Sequence, residues 1–191
     1  SLEDFRSLQL KELDILLHLD RVCKKHGLRY FLAGGTLIGA IRHKGFIPWD
    51  DDIDVHMPRP DYERLFEIWN NDKYILCKTD LIHNMRHHAG SIVDRKSTFI
   101  ERRNKNDDIP QGIKIDVIPI DAVPKSWIGE QIQLFWAIIY AIYNVQRLPE
   151  NQGGKLMSLF IKFLLWIVPS AKYRYKIWNF AEKQMSKYDF E

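Results

Sequence analysis

The sequence is poor in cysteine, nearly balanced in charge and without a long uncharged apolar segment. Two cysteines in 191 residues exclude a disulfide-stabilised scaffold, and an apolar fraction of 46% excludes a disordered chain. A net charge of +3 is too small to indicate a nucleic-acid-binding protein. The longest uncharged stretch, residues 131–146, has 16 residues, whereas a membrane-spanning helix needs about 20.

The charged and aromatic residues are unevenly distributed. Residues 1–127 carry 20 basic and 20 acidic side chains, whereas residues 128–191 carry 8 and 5. This last third also holds 13 of the 24 aromatic residues. We therefore expect a core over residues 1–125 and an aromatic helical region over residues 126–191 that packs on it.

Alternating sequence patterns predict a mixed fold. Leucines recur near the helical period from Leu8 to Cys23, and Gly27 is suited to end that helix. Five short apolar segments predict strands: 28–33, 53–57, 74–79, 90–94 and 113–118. The fold class is α+β, with a small mixed β-sheet flanked by helices and a C-terminal helical region.

Four aspartates lie within residues 50–54, directly before an apolar strand. Alternate residues of a strand share one face, so Asp52 and Asp54 are predicted to project together while Ile53 and Val55 point into the core. Two hard oxygen ligands on one face suit Mg²⁺ or Mn²⁺. The alternative is a solvated acidic loop, which we consider weaker because the segment leads straight into a buried strand.

A calcium-binding loop does not fit this segment. Such a loop needs glycine at its sixth position and glutamate at its twelfth, where the sequence has Val55 and Asp61. Asp116 is a candidate third ligand, since it stands alone in an apolar strand where an unpaired charge is costly. A salt bridge or a solvent-facing position at a sheet edge explains Asp116 equally well.

A glycine turn follows the first predicted strand. Gly34 and Gly35 allow the backbone to approach a ligand closely, and Thr36 is suited to cap the following helix, whose N–H groups attract phosphate. Positive charge follows that helix, on Arg42, His43 and Lys44. These side chains are candidates for binding phosphate, or they complement the dipole at the helix C-terminus.

Three further features have competing interpretations. Trp49 is suited to stack on a base or on the ammonium group of a ligand, or to pack beside the acidic segment. A zinc set is a weak interpretation of four residues because their spacing fits no standard motif: Cys77, His83, His87 and His88. Residues 156–178 mix aromatic and basic side chains, which is typical of an anionic membrane surface contact or of buried covering helices; we favour the latter.

The order of these motifs closely resembles the LicD family of phosphocholine transferases, to which fukutin-type phosphotransferases are related. The resemblance is carried by residues 31–42 (FLAGGTLIGAIR) and 44–55 (KGFIPWDDDIDV), with support from 23–28 and 115–121. It covers about residues 1–125. It implies a nucleotidyltransferase-type fold, with the turn at Gly34, Gly35 and Thr36, the metal pair at Asp52 and Asp54, the third acid at Asp116, and Asp50 as an additional ligand.

The resemblance also implies an activity. The family transfers a phospho-alcohol, typically phosphocholine from CDP-choline, to a hydroxyl of a cell-surface glycan or its lipid-linked precursor. Family members usually continue beyond the point that corresponds to residue 191. The alternatives are a nucleotidyltransferase that moves the nucleotide itself, and a catalytically silent membrane- or glycan-associated module.

The expected location is the cytoplasm, at the inner face of the cell membrane if residues 156–178 contact lipid. Residues 1–10 lack the apolar core of a secretory signal, and Cys23 and Cys77 have no pairing pattern. The expected partners are a CDP-alcohol donor and a glycan acceptor, not nucleic acid.

Overall fold

The computed structural model describes residues 2–79, 89–100, 109–144 and 155–190. Within these ranges the chain forms the following elements: α1 (Leu2–His26), β1 (Phe31–Leu32), α2 (Gly34–Arg42), β2 (Asp54–Pro58), α3 (Arg59–Ile68), β3 (Tyr74–Cys77), β4 (Gly90–Asp94), β5 (Lys114–Ile120), α4 (Trp127–Tyr143), α5 (Lys155–Ile167) and α6 (Ala171–Met185).

The five strands form one mixed sheet in the order β1-β2-β5-β4-β3. β2 and β5 are parallel, and the other neighbouring pairs are antiparallel. The predicted α+β fold with a small mixed sheet is therefore confirmed. This pair lies inside the sheet, and because its two strands are parallel, both begin at the same edge of the sheet.

Alternation along β2 separates the core from the site. Ile53, Val55 and Met57 are buried, with relative exposures of 2% or less, as the alternation predicts for Ile53 and Val55. These side chains pack in one hydrophobic cluster with residues of α1, α3, β4 and β5. Asp54 lies between two buried neighbours and is only partly buried.

The buried face of α1 differs from the face that the leucine pattern suggests. Leu10 and Leu17 are about half exposed. The buried positions are instead Gln9, Glu12, Ile15, Leu19 and Cys23. These positions form one stripe of the helix. The buried face of α1 therefore continues towards its N-terminus through two polar side chains, Gln9 and Glu12.

The ends of α1 and α2 are set by local backbone geometry. Gly27 follows α1 with a φ of +68°, and Leu28 N donates to Cys23 O at 2.9 Å, so the predicted glycine stop is confirmed. The prediction that Thr36 caps α2 is wrong. Ala33 occupies the N-cap without a side-chain hydrogen bond, and Thr36 lies within the first turn.

The described residues fall into two compact units, one up to Ile120 and one from Asp121 onward. In the second unit α4 packs against α6. Trp136 meets Phe180 edge to face at 5.2 Å, and Tyr140 stacks on Trp178 at 5.0 Å. Among the described residues, no helix is both long and apolar enough to cross a membrane. Packing of residues 126–191 on the core stays a prediction.

Candidate active site

Asp54 and Asp116 stand side by side at the start of the two parallel strands. Asp54 pairs in register with Asp116, and Asp116 N donates to Ile53 O at 2.9 Å. Residues that are paired in register on adjacent strands have neighbouring side chains on the same face. The parallel pairing of β2 and β5 thus brings together two acids that are 62 residues apart in sequence.

The acidic segment before β2 concentrates negative charge at this edge. The pKa of Asp52 is raised to about 6, most strongly by partial desolvation and next by the negative charges of Asp54 and Asp50. Asp51 and Asp116 act in the same direction. Like charges crowded around Asp52 in this way favour the presence of a cation.

The glycine turn is fastened to β2 through Asp54. Ala33 N donates to Asp54 O at 3.0 Å, and Asp54 N donates to Thr36 Oγ1 at 3.0 Å. The Thr36 hydroxyl therefore binds the next strand instead of capping α2. The first helical hydrogen bond of α2 is donated by Leu37 to Ala33, so helical bonds do not use the N–H groups of residues 34–36.

Two glycines allow the acidic segment to lie close to α2. A Cβ on Gly35 would stand 2.5 Å from Asp50 Oδ2, so the Asp50 carboxylate occupies the space beside the first turn of α2. A Cβ on Gly39 would stand 2.6 Å from Gly45 O and 2.9 Å from Ile47 N. Glycine at position 39 is required for the loop over residues 43–53 to pack against α2, because a Cβ there would meet backbone atoms, whereas a Cβ on Gly35 would displace the Asp50 carboxylate.

Helix α1 supports the same loop from the other side. Gln9 Nε2 donates to Asp50 O at 2.9 Å and to Ile47 O at 3.4 Å. Arg6 donates to Gln9 Oε1 at 2.9 Å, which orients the Gln9 amide. The backbone of Asp50 is therefore fixed by a side chain that lies 41 residues away in sequence.

Glu12 lies one turn after Gln9 on the same stripe of α1. It is 3% exposed, and its Oε2 has no hydrogen-bond partner among the described residues. The pKa of Glu12 is raised to about 8, most strongly by burial and next by the negative charges of residues 50–52 and of Asp116. Glu12 is thus a further buried acidic group, on the stripe of α1 that contacts the acidic segment through Gln9.

Asp116 is held by two neighbours. Ser91 Oγ, on β4, donates to Asp116 Oδ1 at 2.6 Å. Lys114 Nζ lies 3.3 Å from the same oxygen and 3.4 Å from Oδ2. The salt bridge considered for Asp116 is therefore present, and it holds the carboxylate beside Asp54.

The basic residues and the tryptophan near the site are exposed. Arg42, His43 and Lys44 end α2 and begin the loop, and all three are exposed to solvent. Lys44 has a φ of +56°, which is uncommon for a residue with a side chain. Trp49 is 77% exposed, so its side chain is available to a ligand.

The carboxylates suit a hard divalent cation in their chemistry, although they are not gathered around one point. In residues 2–79, 89–100, 109–144 and 155–190, no three His, Cys, Asp or Glu side chains are close enough together to hold one ion. The raised pKa values of Asp52 and Glu12 reflect burial and the crowding of like charges around them. Carboxylate oxygens are the ligands preferred by Mg²⁺ and Mn²⁺.

The zinc interpretation gains nothing from the structure. Cys77 is only half-buried and donates to Ser91 O at 3.4 Å. The other members of the set lie outside the described residues: His83, His87 and His88.

Four site residues were not identified from the sequence: Gln9, Glu12, Ser91 and Lys114. The burial of Gln9 and Glu12 was predictable from the sequence, because they continue the helical stripe that contains Ile15 and Leu19. Lys114 was also predictable, because it lies two positions before Asp116 and alternate residues of a strand share one face. Ser91 was not, since it becomes a neighbour of Asp116 only when β4 and β5 pair.

Comparisons with known proteins give the family of the chain. The family model described as LicD/FKTN/FKRP, nucleotidyltransferase domain, matches residues 27–133. The lipopolysaccharide cholinephosphotransferase LicD of Haemophilus influenzae is 56% identical over 125 residues, which are 63% of this chain and 46% of that protein. The human ribitol 5-phosphate transferase FKRP is 53% identical over 34 residues, 18% of this chain and 7% of that protein.

The matches cover only part of these relatives. This chain spans about half the length of the Haemophilus protein and a small fraction of the human one. The family model contains all the predicted site residues, whereas α1, with Gln9 and Glu12, precedes the first matched residue.

Proposed function

This chain belongs to the LicD/FKTN/FKRP family of nucleotidyltransferase domains, and we propose that it transfers a phospho-alcohol from an activated donor to a glycan hydroxyl. The observation that carries the proposal is the pairing of Asp54 with Asp116 beside a glycine turn that is bonded to the Asp54 backbone. The two named relatives are transferases of choline phosphate and of ribitol 5-phosphate. The extent of identity to the first favours phosphocholine as the transferred group, and CDP-choline is the donor we propose for it.

The proposed donor site lies at the start of α2. The backbone N–H groups of Gly34, Gly35 and Thr36 belong to the first helical turn, where phosphate groups are favoured. Arg42, His43 and Lys44 supply exposed positive charge at the other end of the same helix. Trp49, largely exposed, offers a face on which a base or a choline ammonium can stack.

The proposed cation site uses Asp52 and Asp54, with Asp116 and Asp50 as further oxygen donors. A bound Mg²⁺ or Mn²⁺ would neutralise phosphate charge and stabilise the leaving group. Without such an ion the acidic segment would repel the donor phosphates, because all these side chains carry the same sign of charge.

The proposed reaction is a displacement at phosphorus. The acceptor hydroxyl oxygen forms a bond to the phosphorus of the phospho-alcohol, and the bond between that phosphorus and the bridging oxygen of CMP breaks. Asp116, fixed by Ser91 and Lys114, is suited to take the hydroxyl proton because the acceptor is a weak nucleophile. The products are the phospho-alcohol ester of the glycan and CMP.

We also propose contact with an anionic membrane surface, at the inner face of the cell membrane. On α5, an exposed stripe contains Leu159, Phe163 and Trp166, and Lys162 is exposed next to it. Residues spaced by three and four share one helix face. An aromatic stripe beside a basic residue is typical of helices that lie on anionic lipid. This placement would bring the site near a lipid-linked acceptor in the cytoplasm.

The experiment that tests the reaction is a donor screen. The chain is incubated with Mg²⁺, a lipo-oligosaccharide that lacks phosphocholine, and either CDP-choline, CDP-ribitol or CDP-glycerol. Mass spectrometry then identifies the group added to the acceptor. Addition of one phospho-alcohol supports the proposal. Addition of CMP identifies a nucleotidyltransferase, and no addition with any donor favours a catalytically silent module.

A further inference from the structure

We propose that Phe31, His56 and Ile118 form a platform that binds a sugar ring of the acceptor glycan, on the sheet face next to Asp54 and Asp116. We call these three residues the Phe31 row. The proposal rests on the proposed function and adds to it the place where the acceptor binds. The row is defined by strand register, because His56 of β2 pairs with Phe31 of β1 and with Ile118 of β5.

The Phe31 row crosses three neighbouring strands, β1, β2 and β5. Residues that are paired in register have neighbouring side chains on one face, and adjacent strands lie about 4.8 Å apart, so the row extends over about 10 Å. Asp54 pairs with Asp116 two positions earlier on β2 and β5. Since alternate residues of a strand share a face, the row lies on the face of this acidic pair, about 7 Å from it along the strands.

The row is open to solvent on one side and supported by the core on the other. Phe31 is 54% exposed, and His56 and Ile118 are half-buried. The neighbours of His56 along β2, Val55 and Met57, are fully buried in the hydrophobic cluster. Side chains on strands that are fixed by such packing present a defined surface to a ligand.

The row combines the two kinds of group that bind a sugar. A sugar ring has apolar C–H faces and a rim of hydroxyl groups. The Phe31 ring and the Ile118 side chain offer apolar surface to such a face, and the ring nitrogens of His56 donate or accept a hydrogen bond with a hydroxyl. Since neither Phe31 nor Ile118 is charged, a sugar ring suits the row better than a phosphate group.

The row also lies on the side of the acidic pair that an acceptor requires. Trp49 and the acidic segment precede β2, whereas His56 follows Asp54 along the strand. In an in-line displacement, the attacking hydroxyl and the leaving group are on opposite sides of the phosphorus. With the CMP part of the donor over the acidic segment, a sugar on the row would hold its hydroxyl beside Asp116, the proposed base.

A structural explanation of Phe31 is testable against this proposal. If Phe31 only covers the edge of the sheet, where β1 lies, its loss will change stability and leave sugar binding unaltered. If its ring binds a sugar, Phe31→Ala will weaken binding, whereas Phe31→Tyr, which keeps the ring, will preserve it. Phe190→Ala removes another exposed phenylalanine, 38% accessible and distant in sequence from the row, and is the matched control.

The experiment uses the whole chain and the lipid-free oligosaccharide of a lipo-oligosaccharide that lacks phosphocholine. Binding is measured by NMR titration without a donor. We expect Phe31→Ala to weaken binding roughly tenfold and His56→Ala roughly fivefold. Phe31→Tyr and Phe190→Ala are expected to stay within about twofold of the wild type. In the transfer assay, the KM of the acceptor is expected to rise by similar factors while the KM of CDP-choline stays unchanged. Circular dichroism checks that each variant is folded.

Each outcome decides the matter. Equal oligosaccharide affinity of Phe31→Ala and Phe190→Ala would overturn the role of the row while leaving the proposed transfer intact. A rise in the KM of CDP-choline alone would also overturn it, because the row would then belong to the donor site. Oligosaccharide binding that depends on Phe31, in a chain that transfers no group, would support the platform and refute the proposed function. A wild type that neither binds the oligosaccharide nor transfers a group would refute both.

Discussion

Asp54 N donates a hydrogen bond to Thr36 Oγ1 at 3.0 Å, which joins the glycine turn to the strand that begins with the central acid of the site. In a second hydrogen bond, also 3.0 Å long, Ala33 N donates to the carbonyl oxygen of the same Asp54. The glycine turn and the acidic pair are therefore positioned by one short connection. A change in Thr36 is expected to disturb both.

Replacing Thr36 with valine tests this connection, because valine has the same shape and lacks the acceptor oxygen. The Asp54 N–H loses its partner, which is expected to cost about 1 kcal/mol of unfolding free energy and to lower transfer roughly tenfold. Urea unfolding and CMP release measure the two effects. Thr36→Ser keeps the hydroxyl and is expected to behave nearly as the wild type; a serine variant as impaired as valine would contradict this explanation.

Gly39 is predicted to tolerate no side chain. A Cβ would stand 2.6 Å from Gly45 O, and since this atom belongs to the backbone, the whole loop must move. Gly39→Ala is expected to destabilise the fold by roughly 1–3 kcal/mol and to reduce transfer. Gly45→Ala, where a Cβ meets nothing within 4 Å, is the matched control. Equal urea midpoints for the two variants would refute the prediction.

Asp14 gives a prediction about stability and pH. Its Oδ2 accepts hydrogen bonds from Lys73 Nζ at 2.6 Å and from Tyr74 OH at 2.5 Å, which lower the pKa of Asp14 below its ordinary 3.8. The folded state therefore favours the ionised form. This stabilisation is present above the unfolded pKa and is lost as the pH falls through the folded one.

Asp14→Asn should accordingly lower the melting temperature at pH 7 by a small amount, because the pair is half exposed. The difference from the wild type is expected to shrink as the pH falls through the folded-state pKa of Asp14. Asp72→Asn, at an exposed carboxylate on the surface, controls for the loss of one charge. A difference between Asp14→Asn and the wild type that stays constant as the pH is lowered would contradict the assignment.

The membrane proposal predicts the behaviour of α5. Trp166 is 75% exposed and stacks on Phe163, so Trp166→Ser removes a large apolar side chain from the proposed lipid-facing stripe. We expect binding to vesicles of phosphatidylglycerol and phosphatidylcholine to weaken roughly tenfold, as measured by sedimentation. Trp49→Ser removes an equally exposed tryptophan outside α5 and serves as the control. If Trp166→Ser binds the vesicles as tightly as the wild type, the proposed contact of α5 with lipid is refuted.

Local patterns predicted the strands of the sheet well. β4 has the predicted limits, and Ile53 and Val55 are buried as alternation requires, because burial on a strand depends on a period of two that short sequences reveal. The limits of β1 were harder to predict: it has only two paired residues, and its length depends on its partner strand.

The supporting residues of the site were less accessible to sequence reasoning. Leucines surround much of α1, so they did not identify the buried stripe, which contains Gln9 and Glu12 instead of Leu10 or Leu17. The Thr36 hydroxyl had two possible partners, its own helix or a neighbouring strand, and the choice depends on the tertiary position of Asp54. Packing between segments that are distant in sequence determines which hydrogen-bond partner is used.

The most direct test of the central claim is the rate of CMP release from CDP-choline by the wild type and by Asp54→Asn. Both proteins are assayed with Mg²⁺ and a lipo-oligosaccharide acceptor. Asparagine keeps the shape and the backbone bonds of Asp54 but removes its charge. We expect acceptor-dependent CMP release by the wild type, and a loss of roughly hundredfold or more in the variant with an unchanged circular dichroism spectrum. Near-normal release by a folded Asp54→Asn variant would contradict it.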